Sequence, residues 1–188
     1  MDDRNKATDQ SAPLRYHEKL DAFHDTVTTY YSEREANVYR TVMTNPPTDA
    51  DLVPQRYRHK TLREINEMLI LYTEEDVAEL TDEEKREEVS GDAISVNTTP
   101  EKCRTSALRT YRTVKRKYPA PIPDEFKANR GPYIVRLKIG PEHGILSKPN
   151  KGHMNFLPRE GVRMEDIWDK SYAPEKFEYD DESTDDNN

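Results

Sequence analysis

The 188-residue chain has a single cysteine, Cys103, and only six glycines. One thiol excludes an internal disulfide framework, and six scattered glycines supply neither a glycine-rich phosphate loop nor a dinucleotide fingerprint. No apolar run approaches the roughly 18 residues of a bilayer-spanning helix. Hydrophobic residues make up 33%, against about 45–50% in ordinary globular domains, so the core is thin. The first residues, MDDRNKATDQ, contain no apolar signal segment, and the expected location is cytoplasmic.

What the chain has in excess is charge. Charged residues account for 35%, the formal net charge is −8 and the mean hydropathy is −1.08. The charge is segregated. Between Lys102 and Lys151 there are thirteen Lys and Arg against three acidic residues, a net of +10, which leaves −18 for the remainder. Local positive surface, not the global sum, decides whether a protein meets polyanions.

Hydrophobic spacing divides the chain. A polar lead, residues 1–12, is expected to be disordered. Tyr16, Leu20, Phe23, Val27, Tyr30, Val38 and Val42 recur at spacings near three and four, which predicts one long amphipathic helix over 13–43. Asn45-Pro46-Pro47 ends it, and 46–60 reads as a linker. Leu62, Ile65, Met68, Leu69 and Tyr72 predict a second helix. An acidic helix follows near 81–90, where Thr81 and Glu84 form a capping box. Thr99, Pro100 and Glu101 then open a helix over 98–118, with Cys103, Ala107, Tyr111, Val114 and Tyr118 in one sector and basic residues opposite. Tyr133 to Ile139 alternates like a strand, and Ile145 to Lys148 is read as its return in a hairpin. The acidic stretch 159–188 is expected to be a largely disordered tail. Within it, Trp168 is either a cap on the core or a partner-binding anchor.

The expected fold class is therefore mainly α with a small β-hairpin (α+β), its helical core over 61–158. The order of helix, acidic helix, extended piece, basic helix and hairpin resembles a winged helix-turn-helix. That resemblance implies a DNA-binding accessory or transcription-regulating role. Arg104 and Arg109 would approach bases, while Lys102, Arg112, Lys115, Arg116, Arg136 and Lys138 would engage phosphates. The alternative is an assembly factor that self-associates through helix 13–43, in coiled-coil fashion, and offers its acidic tail to a basic partner.

Signs of catalysis are poor. His143, His153 and Asn155 match fragments of a histidine nuclease motif, but no histidine follows Asn155. His17, Asp21 and His24 share a helical face and are read as exposed polar residues, not as metal ligands. Cys103 lies on the packed sector of its helix and is read as inert. No enzyme activity, metal or cofactor is expected.

Overall fold

The structure, a computed structural model, describes residues 12–58, 60–69, 71–117 and 133–172. A short helix α1 (His17–Leu20) continues through a 3-10 turn (Asp21–Phe23) into α2 (His24–Tyr30). Strands β1 (Tyr31–Ser32) and β2 (Ala36–Val42) follow, then 3-10 turns at Asp49–Leu52 and Gln55–Tyr57. Three helices come next: α3 (Leu62–Met68), α4 (Glu74–Glu79) and α5 (Asp82–Gly91). Each opens on a threonine whose side chain accepts from the backbone three residues on, in pairs Thr61/Glu64, Thr73/Asp76 and Thr81/Glu84. Reciprocal capping of this kind satisfies amides that short helices otherwise leave bare. After β3 (Ile94–Asn97) comes the longest helix, α6 (Pro100–Lys117). The chain continues with β4 (Tyr133–Ile139), β5 (Gly144–Ser147), β6 (His153–Pro158), α7 (Met164–Ile167) and β7 (Trp168–Tyr172).

The seven strands form one antiparallel sheet in the order β1-β5-β6-β3-β2-β4-β7. This overturns the winged helix-turn-helix expectation. A mainly α core is replaced by a sheet that carries the principal hydrophobic cluster. The expected hairpin is also absent: β4 pairs with β2 and β7, and β5 pairs with β1 and β6. Four strand spacings separate β4 from β5, about 19 Å in a flat sheet. The connection between them is a tight turn, in which the His143 amide donates to the Gly140 carbonyl at 2.9 Å. The sheet must therefore curl to bring the two ends together. Within it β2 and β3 share the single pair Tyr39↔Asn97.

The curl wraps one core. Val38, Val42, Val135, Leu137 and Ile139 from β2 and β4 meet Ile94, Val96, Leu146, Met154 and Phe156 from β3, β5 and β6. A second cluster, formed by Leu20, Phe23, Val27, Tyr31, Val89, Ala93 and Leu157, ties α1, α2 and α5 to the sheet. Gly144 sits where β5 crosses closest to β6. Its φ is +149°, and a Cβ there would lie 2.2 Å from the Leu157 carbonyl oxygen.

Three further expectations are corrected. The helix over 13–43 ends at Tyr30, because Ala36–Val42 is an inner strand. Val38 and Val42 are four apart, a spacing that serves both a helix and a strand, and Arg40 between them masks the two-residue period. The residues meant to support self-association through that helix, Leu20, Phe23, Val27 and Val38, are all buried within this chain. The linker 46–60 is not a bare connector, since its Leu52 and Tyr57 are core residues. Residues 159–172 are ordered: Val162, Met164 and Ile167 are buried and β7 closes one sheet edge. Residues 1–11 and 173–188, where the rest of the expected disorder falls, lie outside the described residues. No described helix is long and apolar enough to cross a membrane.

Candidate functional site

Helix α6 is built as its sequence dictates. Thr99 caps it, its side-chain oxygen accepting from the Lys102 amide at 3.1 Å, and Pro100 takes the first-turn position where a missing N–H costs nothing. Cys103 and Ala107 are buried, while Lys102, Arg104 and Arg109 are exposed. The side chains of Arg112, Lys115 and Arg116 lie outside the described part of the helix. Burial pushes the Cys103 thiol up to about 12, with Arg40 and Asn97 only partly offsetting it. The group is a protonated, packed thiol and not a nucleophile.

The structure places the remaining two expected phosphate contacts elsewhere. Arg136 and Lys138 of β4 both grip Asp169 of β7. The Arg136 Nε donates to Asp169 Oδ2 at 2.6 Å and Lys138 Nζ lies 2.9 Å from Oδ1. Hydrogen bonds from Lys138 and Arg136 hold the Asp169 carboxyl below the usual carboxylate range. These two cations stitch a strand pair, apart from α6.

Beside the first half of α6 opens a cleft of about 370 Å³. Its floor is the exposed face of β3 and β6, where Ser95 pairs with Asn155 and Asn97 with His153 in register. One wall is α6, with Cys103, Ser106 and Ala107. The others are Arg40 and Thr41 of β2, Arg56 and Arg58 of the turn after Pro54, and the end of α5 at Ser90 and Gly91. Three arginines and a histidine line it, and no carboxylate stands among the described lining residues.

Each cation is positioned by its surroundings. The Arg56 Nη1 donates to Glu88 at 3.2 Å and lies 3.6 Å from Asp92. Its guanidinium rests against Gly91, where a Cβ would come within 2.4 Å of it. Behind it, the buried Lys19 ammonium bridges Glu88 at 2.8 Å and Asp92 at 3.0 Å, and the Tyr57 hydroxyl donates to Asp92 at 2.5 Å. Arg40, only 6% exposed, donates from Nη1 to the Ser95 carbonyl at 2.7 Å. Burial pulls the Arg58 guanidinium down from its ordinary value, against the opposing charge of Asp51.

On the floor, Ser95 Oγ and His153 Nε2 are 2.8 Å apart. Burial lowers the His153 pKa below its ordinary value, which favours the neutral ring. Serine and imidazole at this distance are also the opening pair of a nucleophilic site, but there the base is oriented by a third group. Among the described side-chain hydrogen bonds the His153 ring has Ser95 as its partner, and the two stand on the cleft floor as a hydrogen-bonded couple. Among the described residues no group of three or more His, Cys, Asp or Glu is placed to bind an ion.

Sequence reasoning missed Arg40, Arg56, Arg58, Ser95 and Asn97 because they come from separate elements. One signal was present: Gln55-Arg56-Tyr57-Arg58-His59-Lys60 is a dense basic run inside what reads as a linker. No protein-family model matches this chain, and no curated protein or solved structure does either.

Proposed function

We propose that the protein binds nucleic acid, most simply DNA, without catalysis, by laying the basic face of α6 along the phosphate backbone. The observation that carries this reading is the two-sidedness of the helix: Cys103 and Ala107 face the sheet while Lys102, Arg104 and Arg109 face solvent. Between Lys102 and Lys117 the sequence has seven basic residues and no acidic one. Eighteen residues give a helix about 27 Å long, enough to follow several phosphates of a duplex. The curled sheet acts as the platform that fixes the direction of the helix.

Phosphate neutralisation releases counterions, so affinity falls with salt in proportion to the contacts made. With four to five phosphates engaged, the slope of log Kobs against log salt is about −4. Fluorescence anisotropy with a labelled duplex across roughly 50 to 200 mM salt measures it. The double variant Arg104→Glu/Arg109→Glu should weaken binding at least tenfold with an unchanged circular dichroism spectrum. Salt-independent binding, or full affinity in the double variant, would refute the assignment.

A further inference from the structure

We propose that the cleft under α6 is a phosphate site, shaped to seat one phosphoryl group carried by a nucleotide or by a nucleic-acid end. The site is distinct from the solvent-facing side of α6, and it stands or falls without it.

The lining chemistry narrows the occupant. An apolar ligand is disfavoured because only Ala93, Ala107 and the Cys103 thiol offer apolar wall. A metal or organic cation meets Arg40, Arg56 and Arg58 and no described lining carboxylate. The described lining holds no Phe, Tyr or Trp, and its one imidazole, His153, is bonded to Ser95, so a base would have only guanidinium planes and that ring to stack on. The ligand that fits is an anion rich in acceptors.

Charge and geometry favour phosphate over carboxylate. A carboxylate is satisfied by one forked guanidinium. Here three guanidinium groups line the cleft from two elements, β2 and the turn at 55–58, and the Ser95 hydroxyl, bonded to His153, lines it from a third, while the Asn97 amide is engaged by Cys103 and the Asn155 amide by Tyr31. Several guanidinium groups around one floor hydroxyl suit a tetrahedral dianion, whose oxygens point in several directions. The arginines are held in advance as well. Arg56 is fixed by Glu88 and lies on Gly91, and Arg40 is tied to the Ser95 carbonyl. Side chains already ordered lose little freedom on binding. The volume of about 370 Å³ accommodates a phosphate with part of the sugar that bears it.

Isothermal titration of the full chain at low ionic strength tests this with inorganic phosphate, adenosine 5′-monophosphate, adenosine, and a thymidine hexamer with either a 5′-phosphate or a 5′-hydroxyl. The expected result is saturable binding of inorganic phosphate and the monophosphate, with adenosine at least tenfold weaker. A hexamer that needs its 5′-phosphate and binds more tightly than the monophosphate identifies a nucleic-acid end as the source; equal affinity identifies the free nucleotide. Arg58→Gln should weaken inorganic phosphate at least tenfold. Ser95→Ala, a change on an exposed floor position, should weaken it severalfold and guards against misfolding of the first variant. No binding of inorganic phosphate at 10 mM, roughly the weakest affinity a built site would show, overturns the proposal. So does native affinity in both variants. Inorganic phosphate reports on the cleft and duplex DNA on the outer helix face, so either reading can fail alone.

Discussion

The wall that carries Arg56 depends on a buried charge cluster, and replacing Lys19 by methionine tests it. Lys19 is 2% exposed and Asp92 is fully buried. With the ammonium removed, Asp92 keeps the Tyr57 hydroxyl at 2.5 Å and the more distant Arg56 at 3.6 Å. Stripping one partner from a buried ion pair costs about 3–5 kcal/mol, and Arg56 keeps the loss near 3 kcal/mol. In a chain of this length each kcal/mol lowers Tm by roughly 2–4 °C, so the expected drop is about 6–12 °C. Asp92→Asn is gentler, about 1–2 kcal/mol, because the amide oxygen still accepts from Tyr57 and Lys19 retains Glu88 at 2.8 Å. The double variant should lose less than the sum of the two, by at least about 1 kcal/mol, since neither leftover charge then stands alone. Urea denaturation of the four proteins, followed by circular dichroism, measures each quantity. A Lys19→Met loss below about 0.5 kcal/mol, the range of ordinary surface changes, or strictly additive losses, would refute the cluster.

Three other perturbations read different parts of the fold. With the Cys103 pKa at about 12, only about one thiol in ten thousand is ionised at pH 8, and Ellman's reagent should label the native protein only after denaturant is added; rapid native labelling contradicts the packing of α6. Gly144→Ala places a Cβ against the Leu157 carbonyl at a φ of +149° and should cost roughly 3 kcal/mol or abolish soluble expression, whereas a native melting curve would show that β5 and β6 lie farther apart. Asp169→Asn should speed amide hydrogen exchange along Trp168–Tyr172. The Asp169 pKa is depressed by Lys138 and Arg136, so the clamp contributes fully above the ordinary carboxylate value of about 3.9 and is lost as pH falls through the lower folded value. Unprotected β7 amides in the native protein at neutral pH would contradict it.

Local rules served helix starts well and the sheet poorly. The box of Thr81 and Glu84 and the Thr99-Pro100 start are visible within four residues, because capping is settled by neighbours along the chain. Strand β4 was also legible, from its alternation. Its partners were not: β2 lies about a hundred residues before it and β7 about thirty after. A return strand five residues away is the economical guess for any isolated strand, and here Gly140–His143 turns the chain toward a different edge of a curled sheet. β7, Trp-Asp-Lys-Ser-Tyr, has no apolar alternation at all. It is held by backbone pairing and by the clamp on Asp169, neither of which leaves a periodic trace.

The same division governs the site. The basic face of α6 was legible because a single helix presents it, and the structure keeps Lys102, Arg104 and Arg109 at the surface. Charge counted along the chain gives Arg136 and Lys138 equal weight with these. Asp169, some thirty residues downstream, pairs with both across the strands and offsets one of their two charges. Conversely, Arg40 and Arg58 fall outside the basic stretch 102–151 and add nothing to its sum, yet they line one cleft with Cys103, Ser106 and Ala107 of α6. The outer basic face follows from one helix. The cleft instead gathers residues of β2, β3, β6 and the turn at 55–58, with the Arg40 guanidinium donating to the Ser95 carbonyl of the neighbouring strand, and no count along the chain can sum across such elements.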